Sequence, residues 1–463
     1  MNKTSTKPSF YKNSSSKKRS KLALSENALL RYFTFSSLYA AQGIPEGMTF
    51  FAIPAWLAMN GKSPAEIGSF IAAIGIPWSF KIIVAPLMDR FTYVPMGRKR
   101  PWVLIGQLGL VISLLCTAMI PDPLNNLSML IIAGFFISFF GAFQDVAVDG
   151  MAIDILPIDE QARANGLMWG SKTIGVSISL LITTWVINTY GFFYASNLLA
   201  LVILCFLLIP LFIRENVGEK ITPWTAGQAS IKSKQAQLSS LKLIFSNLFK
   251  VFFLPTSLIL GVAVFFMSIG DGLMETLLPV FTIQEIGWTN SDFSQITALA
   301  NILAGVFGMF IGGALVDYFG KIRMLSIFLI ISIMLTIIMV AGKTYWNTSF
   351  FVPGYIIIYS ILATFQSIAF FSIAMELCWK RISATQFTLY MAISNLGRAT
   401  GAGYLGKIKE IFSGWEYVIL VYAVAAMIML FLISRMNTKK HVLSVGILEN
   451  RQIIVKNEHE KIM

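Results

Sequence analysis

Apolar runs long enough to cross a lipid bilayer recur along the whole of this 463-residue sequence. A helix needs about 20 such residues to span roughly 30 Å of hydrocarbon. Hydrophobic residues make up 56% of the chain and charged residues only 13%, about half of the charged share of a soluble protein. Since backbone polar groups in lipid must be satisfied within their own segment, we predict an all-α membrane protein.

Twelve transmembrane helices are predicted from hydropathy. They cover residues 30–57, 65–88, 101–120, 127–155, 165–189, 192–213, 252–280, 290–316, 324–341, 350–378, 386–406 and 415–434. The predicted organisation is a disordered basic tail (1–28), a six-helix bundle (29–213), a linker (214–250), a second six-helix bundle (251–434) and a second tail (435–463). The end of the linker, from Leu238 to Phe249, alternates apolar and polar residues with a helical period and is expected on the membrane surface.

Polar groups inside these spans recur at nearly one spacing in the two halves of the chain. The corresponding residues are Glu46 and Asp271 (225 residues apart), Asp89 and Asp317 (228), Gln144 and Gln366 (222), and Asp154 and Glu376 (222). A chain that doubles a hydrophobic unit and keeps polar groups at matching depths is typical of secondary transporters with a site between two halves. We therefore predict two pseudo-symmetric bundles.

The basic residues predict the orientation of the chain in the membrane. Of the 36 lysines and arginines, 29 lie in the tails, the linker and the loops on one side of the predicted spans. By the positive-inside rule, both termini and the linker are cytoplasmic. The net charge of +13 is therefore a topology signal, and nucleic acid is not expected as a partner.

The residues that most metal sites and enzymes need are scarce within the spans. Cys116, Cys205 and Cys378 form no Cys-x-x-Cys motif, and His441 and His459 both lie in the second tail. We predict no cofactor, no metal and no enzymatic activity. Any proton relay within the membrane must use carboxylates.

Several motifs resemble those of known carriers. The run from Gly312 to Arg323 resembles the loop signature of the major facilitator superfamily. Three further motifs are similar to the family of muropeptide permeases and acetyl-coenzyme A transporters within it: Gln42-Gly-Ile-Pro45-Glu46, Pro77-Trp78-Ser-Phe80-Lys81 and Gln144-Asp145-Val-Ala-Val-Asp149. The resemblance covers residues 32–434 and implies the twelve-helix fold of that superfamily. Some bacterial siderophore importers share it.

The fourth span carries Gln144, Asp145 and Asp149. The two aspartates are four residues apart, so they share a helix face on which like charges repel each other. Because a charge at mid-helix costs about 2.5–3.5 kcal/mol, we expect Lys81 and Lys172 to pair with them. Two interpretations stay open: a static ion network that fixes helix packing, or a site in which one aspartate carries a proton in one conformational state.

Other candidate residues lie beside helix-breaking residues. Glu46 follows the Gly-Ile-Pro run that begins after Gln42, and Asp271 and Glu275 lie next to glycines. Polar residues beside breaks in corresponding spans indicate a binding site. The alternative is a flexible bend whose acids face water without a function.

Arg398 is the one arginine predicted well within a span. Its planar guanidinium suits a carboxylate or phosphate of the cargo, and pairing with Glu275, Asp271 or a carbonyl is the alternative. Asn395 and Gln366 complete the predicted substrate and coupling residues, although Asn395 can equally bridge two helices.

Charged residues at the cytoplasmic ends of the spans form a predicted gate, as the resemblance implies: Asp89, Arg90, Arg98, Arg100, Asp154, Asp317, Arg323 and Glu376. Exposed ion pairs contribute about 0–1 kcal/mol each, which suits contacts that must open. The alternative is that these residues only determine topology.

Taken with the resemblance, these features predict a monomeric transporter of the bacterial inner membrane. Its expected partners are lipid, protons and a small polar or anionic solute, imported by alternating access. The resemblance implies a muropeptide as cargo, with a siderophore as the alternative and acetyl-coenzyme A as the third candidate. A sensor is disfavoured because only 29 residues follow Ser434.

Overall fold

The computed structural model of the chain describes residues 22–230, 241–379 and 382–448. Within these ranges the chain is helical, and the one β-bridge joins Ala23 to Arg214 without forming a strand. The all-α prediction is confirmed. The tail before residue 22 and the first part of the predicted surface helix lie outside the described residues.

The α-helices are numbered here in chain order. They are α1 Ala28–Glu46, α2 Ile53–Met59, α3 Pro64–Ser79, α4 Lys81–Arg90, α5 Arg100–Ala118, α6 Leu127–Ile155, α7 Ile158–Tyr190, α8 Phe192–Phe212, α9 Leu241–Phe252, α10 Pro255–Val280, α11 Asn290–Phe307, α12 Gly313–Phe319, α13 Lys321–Ala341, α14 Phe351–Leu377, α15 Ser383–Ile411, α16 Trp415–Ser434 and α17 438–448. Wider π-helical turns follow α1, α10 and α11.

Ten helical stretches of the described chain are long and apolar enough to cross a membrane. They match ten of the predicted spans. The other two predicted spans correspond to α1 with α2, and to α15. These stretches are richer in polar residues, among them Gln42 and Glu46 in the first and Asn395 and Arg398 in the second.

The membrane helices pack as two groups. Helices α1 to α8 contact mainly one another, as do α10 to α16. Two helix pairs, α3 with α15 and α7 with α11, form most of the interface between the groups. We call the groups the first and the second bundle.

Corresponding loops in the two bundles repeat the same local structure. The Ser63 and Thr289 side chains each accept a hydrogen bond from a backbone N–H three residues later, and the carboxylate at that later position accepts one from the backbone N–H of the cap residue. These capping boxes fix where α3 and α11 begin. Each cap follows a glycine with positive φ, Gly61 (75°) or Gly287 (85°), a backbone conformation that few other residues adopt.

Helices α10 and α15 approach each other closely where both carry glycine. A Cβ atom added to Gly272 would lie 2.0 Å from the carbonyl oxygen of Arg398, and one added to Gly401 would lie 2.0 Å from that of Ile269. Since no side chain fits at these distances, the glycines set the spacing that brings Arg398 next to α10.

Hydrogen bonds between the bundles concentrate at one end of the molecule. Asn188 and Asn290 exchange side-chain hydrogen bonds of 2.8 Å, and Gln284 donates to the carbonyl oxygens of Ala58 (3.0 Å) and Lys62 (2.8 Å). This end, which we call the closed face, lies opposite the two termini. We call the other end the termini face.

The first part of the linker folds against the first bundle at the termini face. The buried Glu215 carboxylate accepts hydrogen bonds from the backbone N–H groups of Arg98 (2.8 Å), Lys99 (2.7 Å) and Arg100 (2.5 Å), where α5 begins. These N–H groups have no partners within the helix, so Glu215 acts as its cap.

Two further helices cover the second bundle at the termini face. Leu248 and Val251 of α9 form a hydrophobic cluster with Trp379 and with Val445 of α17. The predicted surface helix is therefore present, although it runs from residue 241 to 252 and packs on protein with one side.

Candidate functional site

One buried and one partly buried ion pair lie on either side of a tryptophan in the first bundle. Lys81 donates to Asp145, and Lys172 lies 2.7 Å from Glu46. The indole ring of Trp78 lies between the two lysines, 4.6 Å from the Lys81 ammonium and 5.2 Å from that of Lys172. We call Glu46, Lys81, Asp145, Asp149 and Lys172 the first-bundle cluster.

Asp149 has a phenol as its partner instead of a lysine. The hydroxyl of Tyr39, which is 5% exposed, donates to the Asp149 carboxylate. The expectation that Lys172 pairs with an aspartate of α6 was wrong, because Glu46 of α1 lies nearer to it. Asp149 thus stays close to Asp145 without a cation in direct contact.

Two glutamines of the predicted site are buried without partners. The amide nitrogen and oxygen of Gln42 and of Gln144 have no hydrogen bond in the described chain, and both side chains are at most 1% exposed. Gln42 lies one helical turn from Glu46, and Gln144 precedes Asp145. Since buried amides are nearly always hydrogen-bonded, this region has unused capacity to bind polar groups.

The second bundle places Asp271 and Glu275 of α10 beside Arg398 of α15. The nearest guanidinium nitrogen of Arg398 lies 3.9 Å from the Glu275 carboxylate, which is beyond hydrogen-bond distance. Arg398 also lies within electrostatic range of Asp271 and of Tyr359 on α14. We call these four residues the second-bundle set.

Arg398 is an accessible residue on a helix at the interface between the bundles. Its side chain is 48% exposed although it lies near the middle of α15, between α3 and α10. Glu46 of the first bundle lies within electrostatic range of both Arg398 and Glu275. The first-bundle cluster and the second-bundle set therefore face each other across the interface.

The remaining two candidates have structural partners. Gln366 donates to the Ser332 hydroxyl (2.7 Å) inside the second bundle. Asn395 donates to the carbonyl oxygen of Trp78 (3.1 Å) and so bridges the two bundles. Asn395 thereby joins the second bundle to the helix that carries Lys81.

Residues of the predicted gate take part in one ion pair in each bundle. Arg98 lies 3.0 Å from Asp154, and Lys321 lies 2.7 Å from Glu376. The two pairs occupy corresponding positions, since Arg98 and Lys321 both follow a glycine with positive φ. Neither pair crosses between the bundles.

Other predicted gate residues lie elsewhere. Arg100 is a correction: its buried guanidinium donates to five carbonyl oxygens, those of Met96, Pro210, Leu211, Lys220 and Ile221. Asp317 and Arg323 are exposed and form no ion pair in the described chain, whereas Lys321, which was not among the predicted gate residues, pairs with Glu376. Arg90 lies over the ring of Phe91, and the Asp89 side chain is outside the described part.

Three aromatic residues at the site were not among the predicted site residues. Tyr39 and Trp78 contact the first-bundle cluster, and Tyr359 belongs to the second-bundle set. Their sequence signal is weak, because an aromatic residue in an apolar span resembles ordinary packing. Tyr39 and Gln42 do lie one turn apart on α1.

Comparisons with known proteins identify the family of this chain. Residues 35–402 match the family model described as Major Facilitator Superfamily. Among curated proteins, the chain is similar to the anhydromuropeptide permease of Escherichia coli (strain K12), with 24% identity over 410 residues. That alignment covers 85% of this chain and 78% of the permease.

Solved structures show the same fold. The nucleoside transporter NupG superimposes with a TM-score of 0.67 at 15% identity, over 87% of this chain and 98% of its own. A POT family transporter in complex with 5-aminolevulinic acid superimposes with a TM-score of 0.65 at 17% identity, over 88% of this chain and 95% of its own. At these identities the likeness concerns the fold alone.

Proposed function

Since the chain belongs to the major facilitator superfamily and is a membrane transporter, we propose that it imports a muropeptide-like solute by alternating access in symport with protons. It works as a monomer in the bacterial inner membrane, with both termini in the cytoplasm. Support for the cargo comes from the similarity to the anhydromuropeptide permease. The basic tails and linker support the orientation.

One observation carries the mechanism: two sets of ionisable residues face each other across the bundle interface at the middle of the membrane helices. Each charged side chain at this depth costs about 2.5–3.5 kcal/mol to insert into the membrane. Such residues mark solute and proton pathways. The position of the sets at the interface matches the site of a carrier whose two halves rock about the bound solute.

Proton coupling rests on the first-bundle cluster. Asp149 is bonded to the Tyr39 phenol while Asp145 holds Lys81. Binding of a proton to Asp149 removes the repulsion between the two aspartates, and its release restores that repulsion. A carboxylate whose neighbours change with the state of the carrier can thereby link proton movement to the opening of one face.

The closed face supports the direction of the cycle. With the proposed orientation, the hydrogen bonds of Asn188, Asn290 and Gln284 close the outer side. The ion pairs at the termini face each stay within one bundle, which is the arrangement expected when the inner side is free to open.

The test is uptake of a labelled anhydromuropeptide into proteoliposomes that contain the purified protein. We expect accumulation only when the lumen is alkaline, and its loss on addition of a protonophore. Uptake that ignores the pH gradient would exclude proton symport. Uptake of a ferric siderophore or of acetyl-coenzyme A in place of the muropeptide would overturn the proposed cargo.

A variant separates coupling from binding. Asp149→Asn is expected to abolish accumulation driven by the pH gradient while exchange of internal and external muropeptide continues, because exchange needs no net proton movement. Glu410→Gln, at an exposed end of α15, is the matched control. Loss of both activities in Asp149→Asn without unfolding would assign Asp149 to solute binding instead of coupling.

A further inference from the structure

We propose that the second-bundle set is a subsite for a zwitterionic end of the cargo, a group such as an α-amino acid that carries an ammonium and a carboxylate close together. Arg398 binds the carboxylate, Asp271 and Glu275 bind the ammonium, and the Tyr359 hydroxyl forms a hydrogen bond with the ligand. This inference rests on the proposed transport of a muropeptide-like solute, since a peptide-bearing cargo with a free amino group has such an end.

The first argument is that the second-bundle set has unused bonding capacity. In the first-bundle cluster each lysine already holds a carboxylate. In the second bundle, the Arg398 guanidinium reaches its nearest carboxylate only at 3.9 Å. Asp271 and Tyr359 form no hydrogen bond in the described chain, and all four side chains are at least partly exposed. These groups are placed to bind a ligand.

The second argument is the balance of charge. The set has one cation and two carboxylates, all within electrostatic range of one another. A ligand with only a carboxylate would meet Arg398 but also the repulsion of Asp271 and Glu275. A ligand with only an ammonium would leave Arg398 without an anion once the carboxylates had turned to the ligand. A ligand end with both signs satisfies every member, and mismatched charges are costly once the bound ligand covers these groups from water.

The third argument is the position of Tyr359. Its ring stacks on Tyr355 (6.0 Å between centroids, 17° between planes) and meets the edge of Tyr422 at 5.3 Å. Tyr355 and Tyr422 are buried, whereas Tyr359 is partly exposed. The two neighbours hold the Tyr359 ring in one orientation, and a preoriented hydroxyl loses little entropy when it binds a ligand.

The experiment compares three forms of one labelled muropeptide whose peptide ends in a diamino acid. The first has the free amino and carboxyl groups, the second has the amino group acetylated, and the third has the carboxyl group amidated. Binding to the purified protein in detergent is measured by calorimetry, and uptake is measured in parallel in proteoliposomes. We expect each blocked form to bind about tenfold or more weakly than the free form, the usual effect of leaving a buried charged partner unpaired.

Variants assign the two halves of the zwitterion. Asp271→Asn is expected to bind the free and the acetylated forms nearly alike while it still discriminates against the amidated form. Tyr359→Phe keeps the ring and is expected to weaken binding of the free form by about three- to tenfold, a typical loss for one hydrogen bond. Tyr417→Phe, on an exposed tyrosine of the neighbouring α16, is the matched control and should bind all three forms as the wild type does.

The two measurements keep this inference separate from the proposed function. Preferential binding of the free form without uptake would support the subsite and overturn the transport of this cargo. Uptake with equal binding of all three forms, or no binding of any form, would overturn the subsite. Discrimination against the acetylated form that survives unchanged in Asp271→Asn would also overturn it.

Discussion

Each lysine of the first-bundle cluster has one carboxylate in contact, and Lys81 is buried. Lys81 and Asp145 are 9% and 7% exposed at their side chains, so both charges depend on each other for stabilisation. Removing one partner of a buried pair typically costs about 3–5 kcal/mol, whereas replacing both by apolar residues of similar size is often neutral. This difference allows a structural role to be separated from a functional one.

Asp145→Asn alone is expected to destabilise the protein by about 3–5 kcal/mol, because Lys81 would stay buried without an anion. The double variant Lys81→Met with Asp145→Leu is expected to unfold at nearly the wild-type temperature. If the pair takes part in coupling, the double variant is folded but does not accumulate solute. Thermal unfolding in detergent and uptake in proteoliposomes check the two statements.

The outcome distinguishes the two interpretations of the cluster that the sequence leaves open. Wild-type accumulation by the double variant would mean that this ion pair only fixes helix packing. Double replacement of Lys343 and Glu416, an ion pair at the closed face, by glutamines is a suitable control, because exposed pairs contribute only about 0–1 kcal/mol.

At the scale of single elements, the start of α5 depends on a residue from the linker. Glu215 accepts three backbone N–H groups there, and the Arg100 guanidinium binds the carbonyl oxygens that end α8. The loop between α4 and α5, the end of α8 and the first residues of the linker therefore form one unit.

Glu215→Ala is expected to lower the free energy of unfolding by about 3 kcal/mol, since each buried N–H left without a partner costs about 1–3 kcal/mol. Glu215→Gln keeps one carbonyl oxygen as an acceptor and should lose less. Thermal unfolding measures both, and Glu26→Ala, at an exposed glutamate, is the control. An unchanged unfolding temperature for Glu215→Ala would contradict the capping role.

The docking of α17 depends on a buried histidine. His441 is 3% exposed, and its Nε2 lies 2.8 Å from the carbonyl oxygen of Leu377. A carbonyl oxygen only accepts, so Nε2 carries the proton and the bare Nδ1 is buried without a partner in the described chain. Burial lowers the pKa of His441 because the charged imidazolium loses hydration there, and the hydrogen bond with the Leu377 carbonyl oxygen opposes this shift.

The pH dependence of this docking follows from the direction of the shift. The pKa is lower when α17 is docked than when it is free, so docking is strongest above the free histidine value of about 6.5 and weakens as pH falls below it. We expect amide hydrogen exchange in residues 438–448 to be faster at pH 5 than at pH 7.5, after correction for intrinsic rates. His441→Gln should remove that dependence, and a dependence that persists in this variant would exclude His441 as its source.

At the scale of the whole molecule, the proposed alternating access requires the two bundles to separate at the closed face. The Asn188 and Asn290 amides there are in direct contact, and Gly68 and Gly406 allow α3 and α15 to touch between the bundles. The amide contact is a pair of neutral hydrogen bonds, the glycine contacts are close backbone packing, and neither kind is an ion pair. An interface of this kind can open and close repeatedly.

A disulfide across the closed face should stop transport. Asn188→Cys with Asn290→Cys, in a background without Cys116, Cys205 and Cys378, is expected to cross-link under mild oxidation. Uptake should fall to background in the oxidised protein and return on reduction, because the bundles cannot separate while they are joined. Each single variant is the control, and full uptake by the cross-linked protein would exclude opening at this face.

Local features of this chain were predictable from sequence because they depend on neighbouring residues. The spans follow from hydropathy, and the caps at Ser63 and Thr289 follow from an acid three residues later. The equivalence of the two halves follows from the regular offset of polar residues, which the corresponding pairs at Arg98 and Lys321 repeat.

Only the tertiary structure decided which charges meet. Lys172 pairs with Glu46 of α1, Asp149 bonds to Tyr39, and Arg100 binds carbonyl oxygens inside the first bundle. These contacts join helices that are distant in the chain. Which ion pair forms depends on how each helix is rotated and on how closely two helices approach. Glycines such as Gly272 set that approach, because they leave room for the backbone of the neighbouring helix. Hydropathy and motif spacing indicate how deep in the membrane a charged residue lies. They do not indicate which neighbouring helix its side chain faces.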